Sequence, residues 1–257
     1  MIMWYNERAQ WEYEFQSVEN TLELRDRLYL MDEIKVEYLL PRLHNWSKTL
    51  EVGCGSARLS CFLASHDHNT TCIDYSSSAL KVARANYALM KVKGNFYLGD
   101  AYNLPFKDDT FDVVMSTGLL EHFRDPSPII TEMVRVLRPD GLYYSDILPD
   151  KFSLLRSLFF LKKTFNRIRG EEMKIHYENK LDKKSIIHLL QRSGLHHIQV
   201  IPATVLPPRT ITYLKTFSFL GPFEYRILHS LKPFWKRLDN TIVAEWLGVA
   251  YFAYAYK

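Results

Sequence analysis

Apolar residues between residues 45 and 148 follow two alternating periods. Short apolar runs, which are typical of buried strands, occupy residues 48–52, 69–74, 95–100, 111–117 and 142–148. Apolar side chains at the helical spacing of three and four lie between these runs, at residues 57–65, 75–91 and 128–137. A Pro-Asp-Gly turn at residues 138–141 is expected to separate the last helix from the fifth strand. Alternating strands and helices predict a parallel sheet with helices on both faces.

The residues outside this stretch continue the pattern. Before residue 45, apolar residues recur every three or four positions, which predicts a helix. Residues 182–194 predict another helix, which Asp182 caps and Gly194 ends. The β-rich runs at residues 196–203 and 248–256 predict two further strands.

The composition indicates the class of protein and its expected compartment. The 257 residues are 47% apolar and 24% charged, which is ordinary for a globular chain. Three cysteines without a CxxC spacing favour reduced thiols over a disulfide framework. The sequence shows neither a signal peptide nor a long apolar run, so we expect a cytoplasmic protein.

Charge is divided unevenly along the chain. Residues 1–150 contain 15 Lys and Arg against 22 Asp and Glu, whereas residues 151–238 contain 17 against 5. The second segment also carries many Leu and Phe residues. It is typical of a solvated lid, of an interfacial helix on an anionic membrane, or of a cover over an anionic acceptor.

Small and acidic residues follow the first three predicted strands. Gly53 and Gly55 follow the first strand, and Arg58 stands where a dinucleotide-binding fold would have its third glycine. Asp74 ends the second strand and Asp100 the third. Because ligands bind beyond the carboxyl ends of parallel strands, this set favours a nucleoside without a diphosphate.

Six sequence elements stand in the order of one known family. They are E-V-G-C-G at 51–55, Asp74, G-D-A-x-x-L-P-F at 99–106, F-D-V-V at 111–114, E-H at 121–122 and L-R-P-D-G at 137–141. Together they resemble the small-molecule group of class I S-adenosylmethionine-dependent methyltransferases. The resemblance implies an α/β, Rossmann-like sheet of seven strands, with the last strand antiparallel, helices on both faces and helical cap additions.

The resemblance also implies residue roles. The cofactor S-adenosylmethionine, and its product S-adenosylhomocysteine, would contact Glu51, Gly53, Cys54, Gly55, Asp74, Tyr75, Asp100, Ala101, Thr117, Gly118 and Leu119. In that scheme Asp74 binds the ribose hydroxyls, and Asp100 holds the adenine edge. Cys54 is interpreted as a small filler, not a nucleophile.

Candidate acceptor-side residues are fewer. His122 follows the fourth strand, where it would serve either as a general base or only to shape its loop. Asp146, His176 and Tyr177 are candidate substrate residues, and the sequence predicts no metal site.

The resemblance predicts that the chain is a single methyltransferase domain with several parts. Its predicted parts are an N-terminal helical cap (1–44), a cofactor-binding core (45–150), basic aromatic cap insertions (151–180 and 203–241) and the C-terminal part of the sheet (181–202 and 242–257).

The predicted function is methyl transfer to an O, N or C atom of a small molecule, with lipid-like and anionic acceptors both open. The alternatives are a lipid or quinone methyltransferase in peripheral contact with an anionic membrane surface, a non-catalytic binding protein and a nucleic-acid methyltransferase. The last is disfavoured, because the run after the fourth strand lacks the N/D-P-P-Y/F pattern of nucleobase enzymes.

Overall fold

The computed structural model describes residues 27–148, 181–206 and 221–257, together with Glu12, Phe15, Gln16, Val18, Glu19, Thr21 and Leu22. The strands are β1 Lys48–Val52, β2 Asn69–Asp74, β3 Asn95–Leu98, β4 Phe111–Thr117, β5 Leu137–Ile147, β6 His196–Ala203 and β7 Ala250–Tyr256. The helices are α1 Arg27–Leu39, α2 Arg58–Ala64, α3 Ser77–Met90, α4 Ser127–Val136, α5 Lys183–Arg192, α6 Gly221–Ser230, α7 Lys232–Leu238 and α8 Ile242–Leu247.

All seven strands belong to one sheet with the order β3-β2-β1-β4-β5-β7-β6. Strands β1 to β5 are parallel, and β7 runs antiparallel to both β5 and β6. This confirms the predicted fold class. The chain first builds outward from β1 to β3 and then returns to place β4 on the other side of β1. The order therefore reverses beside β1, where open α/β sheets bind ligands.

Helix ends follow the predicted capping chemistry. The Ser76 side chain accepts a hydrogen bond from the N–H of Ala79 at 3.0 Å and so caps α3. Asp182 accepts from the N–H of Ser185 at 2.8 Å and caps α5. Both oxygens satisfy an N–H group that has no partner within its helix.

One predicted boundary is wrong. The turn expected at residues 138–141 lies inside β5, which begins at Leu137 directly after α4. The pairing of β4 with β5 shifts register there, so the additional residues form a bulge. Lys257, which directly follows β7, holds the bulge through two backbone hydrogen bonds. Asp140 N–H donates to the Lys257 carbonyl at 3.1 Å, and Lys257 N–H donates to the Gly141 carbonyl at 3.2 Å.

Two apolar clusters cover the faces of the sheet. Helices α1, α2, α3 and α6 contribute to one, which includes the buried rings of Tyr144 and Tyr254. Helices α4 and α5 contribute to the other, which includes the buried ring of Tyr143. Neighbouring strand residues thus point to opposite faces, as the pleat requires.

The expected division into domain and caps stays a prediction. Residues 151–180 and residues 207–220 lie outside the described residues, and they make up much of the predicted cap insertions.

Candidate active site

A cavity of about 260 Å³ opens at the carboxyl edge of the sheet, beside β1 and β4. Eleven of the residues singled out from the sequence line it, namely Gly53, Cys54, Gly55, Asp74, Tyr75, Asp100, Ala101, Thr117, Gly118, Leu119 and His122. These residues are up to 69 positions apart in the chain, and the ends of four parallel strands bring them together.

The loop at residues 53–55 adopts a backbone that favours glycine. The φ angles of Gly53 and Gly55 are +61° and +51°. A Cβ atom on Gly53 would lie 2.5 Å from Cδ1 of Leu119, and one on Gly55 would lie 3.4 Å from Cζ of Phe15. The backbone at Gly53 therefore favours glycine, and a Cβ atom there would have to displace the end of the Leu119 side chain.

Asp74 fixes this loop from the end of β2. Its Oδ2 accepts a hydrogen bond from Gly55 N–H at 2.8 Å, and its Oδ1 accepts from Ser76 N–H at 2.9 Å. Burial raises the pKa of Asp74, while the hydrogen bonds from Ser76, Gly55 and Tyr75 act in the opposite direction. These three donors leave part of the lone-pair capacity of the carboxylate for a ligand hydroxyl.

Glu51 lies beneath the cavity instead of in its lining. It is completely buried, and its Oε1 accepts from the Thr117 hydroxyl at 2.9 Å while its Oε2 accepts from Ser60 N–H at 3.1 Å. Burial raises the pKa of Glu51, against the effect of these two donors and of Lys35. The side chain therefore connects the end of β4 to the start of α2.

Asp100 and His122 also line the cavity. Asp100 Oδ1 accepts from Tyr102 N–H at 3.0 Å, which holds the turn after β3. His122 ends the short 3-10 helix Leu120–His122, and its N–H donates to the Leu119 carbonyl at 3.2 Å. Both residues border the same space as the 53–55 loop.

Asp146 is not among the residues that line the cavity. Its Oδ2 lies 2.6 Å from Lys35 Nζ of α1, and its carbonyl accepts from Gly118 N–H at 3.0 Å. Lys35 is also 3.6 Å from Asp32, which in turn pairs with Arg58 at 2.5 Å. Asp146 therefore supports the cavity from behind, through the backbone of Gly118.

The Lys35 ammonium group is stabilised as a cation. Burial alone would lower its pKa, but the carboxylates of Asp146 and Asp32 raise it above the ordinary value. This ion-pair chain (Arg58, Asp32, Lys35 and Asp146) joins α1 to the start of α2 and to the end of β5. Reasoning from the sequence missed it, because its members share neither a motif nor a spacing.

Cys54 fits the interpretation of a small filler. Burial raises the pKa of its thiol well above the usual range, and the neighbouring Cys72 adds to the effect. All three cysteines are free and buried, and the pKa of Cys61 is raised to about 12, first by burial. A thiolate nucleophile is disfavoured at Cys54 because burial penalises its charged form.

Several lining residues were not anticipated. Phe15, Val52, Ser56, Ile73, Ser76, Gly99, Tyr102 and Phe123 also border the cavity. Tyr102 and Phe123 pack edge to face with ring centroids 5.6 Å apart.

The candidate substrate residues His176 and Tyr177 lie outside the described residues. Within the described ranges, no three metal-ligating side chains lie together.

Part of the chain is similar in sequence to known proteins. Residues 50–145 match the family described as "Methyltransferase domain". Phthiotriol/phenolphthiotriol dimycocerosates methyltransferase 1 of Mycobacterium ulcerans is 35% identical over 105 residues, which cover 40% of this chain and 38% of that protein. Ubiquinone biosynthesis O-methyltransferase of Coxiella burnetii is 28% identical over 141 residues, covering 54% and 60%.

A solved structure agrees at the level of the fold. Phosphoethanolamine N-methyltransferase 2 of Haemonchus contortus, in complex with S-adenosyl-L-methionine, superposes with a TM-score of 0.57 at 17% identity, covering 88% of this chain and 52% of that one. Residues 50–145 therefore match a methyltransferase domain, and the solved structure shares the fold of this chain. The chain spans less than two thirds of the length of the two relatives that it matches by sequence.

Across the described parts of the chain, no helix combines the length and the apolar character that crossing a bilayer demands.

Proposed function

We propose that this protein transfers a methyl group from S-adenosylmethionine to a small-molecule acceptor. The observation that carries the proposal is the cavity at the carboxyl edge, where the glycine loop meets the carboxylates of Asp74 and Asp100. A nucleoside with a sulfonium side chain fits such a site, because it offers hydroxyls to an acid and needs no diphosphate cradle.

Each residue would contribute a simple interaction. Asp74 would accept the ribose hydroxyls on its remaining lone pairs, and Asp100 and Ala101 would hold the adenine edge beside Tyr75. The loop at 53–55 and the turn at 117–119 would border the methionine part. The bound cofactor supplies an electrophilic methyl group, so the protein's work is to align the acceptor and exclude water.

His122 is proposed as the group that takes a proton from a hydroxyl or amine acceptor. It lines the cavity, and its backbone is held by the 3-10 turn. An imidazole can accept a proton near neutral pH. If His122 acts as the base, His122→Gln lowers the rate constant kcat and leaves the dissociation constant of the cofactor unchanged. A loss of cofactor affinity with an unchanged kcat would instead assign it to shaping the loop.

The described lining favours an apolar acceptor. The aromatic lining residues that are not assigned to the cofactor are Tyr102 and Phe123, and none of the described lining residues is Lys or Arg. An anionic acceptor would have to be neutralised by other groups, whereas an apolar or aromatic one would fit these rings directly. The two relatives are named for phthiotriol dimycocerosates and for ubiquinone biosynthesis, which supports a lipid-like acceptor here.

Peripheral contact with an anionic membrane is a second proposal. On α6 and α7, Phe223, Ile227 and Phe234 are 64%, 48% and 52% exposed, and Arg226 and Arg237 lie beside them on the surface. Exposed rings next to cations are typical of interfacial helices. Co-sedimentation with phosphatidylglycerol vesicles at low salt should capture the protein, and Phe223→Ser with Phe234→Ser should weaken capture. Equal capture of both proteins, or of neither, would contradict this contact.

Methyl transfer itself is testable with an isotope. The protein is incubated with methyl-labelled S-adenosylmethionine and an apolar extract of its native host, and labelled products are separated by mass. We expect a labelled small molecule that is absent with Asp74→Ala. Cofactor binding without any labelled product would favour a non-catalytic binding protein, and label in a nucleic-acid fraction would favour that alternative.

A further inference from the structure

The wall of the cavity includes one side chain from far outside the methyltransferase core. Phe15 lines the cavity, and its Cζ lies 3.4 Å from the point where a Cβ on Gly55 would stand. Its ring therefore lies against the glycine loop. None of the six sequence elements of the family resemblance includes this position.

Glu12 attaches the chain on one side of Phe15. Its carboxylate accepts hydrogen bonds from the Ser78 hydroxyl at 2.6 Å, from the Ser77 hydroxyl at 3.0 Å and from Ser78 N–H at 3.1 Å. These donors form the first turn of α3, where a negative charge is favoured by the helix dipole. Hydrogen bonds from Ser76 and Ser78 lower the pKa of Glu12 to about 2, so the carboxylate is ionised near neutral pH.

Thr21 attaches the chain on the other side. Thr21 N–H donates to Asn86 Oδ1 at 2.8 Å, and Asn86 Nδ2 donates to the Thr21 hydroxyl at 2.8 Å. Arg58 also donates to the Thr21 carbonyl. Along the chain, Phe15 therefore lies between two polar attachments: Glu12 is bound to α3, and Thr21 is bound to α3 and α2.

We propose that Phe15 is a cofactor-binding residue and that Glu12 is the residue that positions it. This inference rests on the proposed function, since it takes the cavity as the cofactor site. An aromatic ring beside the glycine loop offers a flat apolar surface to the bound nucleoside and excludes water from it. Glu12 acts through Phe15 and makes no contact with the ligand itself.

The test measures binding of S-adenosylhomocysteine, an unreactive probe, to the full chain by calorimetry and stopped-flow fluorescence. Phe15→Ala should raise the dissociation constant about fivefold or more, whereas Phe15→Tyr, which keeps the ring, should leave it within about twofold. Glu12→Ala should raise the dissociation rate constant of the probe by a similar factor without slowing association.

Glu19→Ala is the matched control, because Glu19 belongs to the same part of the chain and its side chain is exposed. A variant that is merely less stable would show a lower melting temperature and fewer binding sites, but its remaining folded molecules would release the probe at the wild-type rate. Unchanged affinity and release in Phe15→Ala and Glu12→Ala, with normal binding by the wild type, would overturn this inference alone. Failure of the wild type to bind would overturn the proposed function, and this inference with it.

Discussion

At the scale of single residues, Asp74 combines backbone hydrogen bonds within the protein with a proposed contact to the ligand. Both of its oxygens hold backbone N–H groups of the loops around the cavity, and the side chain is only 8% exposed. Removing the carboxylate therefore takes away a proposed ligand contact and also an internal support of the 53–55 loop. A substitution of Asp74 therefore affects both the contact with the ligand and the conformation of the loop.

We predict that Asp74→Ala weakens cofactor binding by at least about tenfold, since a hydrogen bond to a charged group contributes about 1.5–3 kcal/mol. Calorimetry with S-adenosylmethionine measures it. Asp67→Ala, a change at an exposed turn, is the control. Wild-type affinity in Asp74→Ala would remove this residue from the site.

A comparison of two glycines with left-handed backbones distinguishes backbone strain from a clash with a neighbouring side chain. Gly53 and Gly194 have φ angles of +61° and +84°, but a Cβ on Gly194 would meet nothing within 4 Å. We predict that alanine destabilises either position by about 1 kcal/mol. Only Gly53→Ala should also displace Leu119 and weaken cofactor binding. Thermal melts and calorimetry of the pair decide it, and equal loss of cofactor affinity in both variants would contradict the assignment.

At the scale of elements, α1 is bound to the core by charge as well as by apolar packing. Its Asp32 and Lys35 reach Arg58 after the glycine loop and Asp146 at the end of β5. Because these groups are nearly enclosed, their ion pairs are little screened by solvent, and the loss of one partner leaves another charge buried.

We predict that Lys35→Met lowers the free energy of unfolding by about 3–5 kcal/mol, because it leaves Asp146 and Asp32 without their shared cation. The double variant Lys35→Met with Asp146→Asn should recover part of this loss. Chemical denaturation measures both. A single variant as stable as the wild type would show that the ion-pair chain contributes nothing to stability.

Asp239 joins α7 to β6 and α1. It accepts from Thr204 N–H at 2.8 Å and from the Tyr38 hydroxyl at 3.0 Å, and burial raises its pKa to about 6. Because the folded protein then holds its proton more tightly than the unfolded chain, this group's contribution to stability falls as the pH rises from about 4 to about 6.

Asp239→Asn should remove that pH dependence. We predict that the stability of the variant relative to the wild type increases by up to about 2 kcal/mol between pH 4 and pH 7. Urea denaturation at several pH values measures the difference. A difference that stays constant, or that moves in the opposite direction, would contradict the raised pKa.

The sequence predicted the strands and the strand-end residues well for a physical reason. A parallel sheet aligns the carboxyl ends of its strands, so Asp74 and Asp100 could be placed near the glycine loop from chain order alone. The Lys35–Asp146 pair, the buried role of Glu51 and the packing of Phe15 depend on tertiary contacts that no local pattern encodes. The turn at 138–141 was mispredicted because pairing with Lys257 overrides local turn preference.

At the scale of the whole molecule, the cavity is assembled from parts that are distant in sequence. The core strands provide the glycine loop and the two acids, while α1 and the residues before it provide the supports behind and the ring of Phe15. The N-terminal part is therefore a component of the proposed binding site, and not an appendage to it.

The most direct test of the central claim is a crystal structure of the protein grown with S-adenosylhomocysteine. The account predicts that the ligand lies in this cavity, with its ribose hydroxyls on Asp74, its adenine near Asp100 and its amino-acid part along the 53–55 loop. A ligand bound elsewhere, or an empty cavity at saturating ligand, would contradict it.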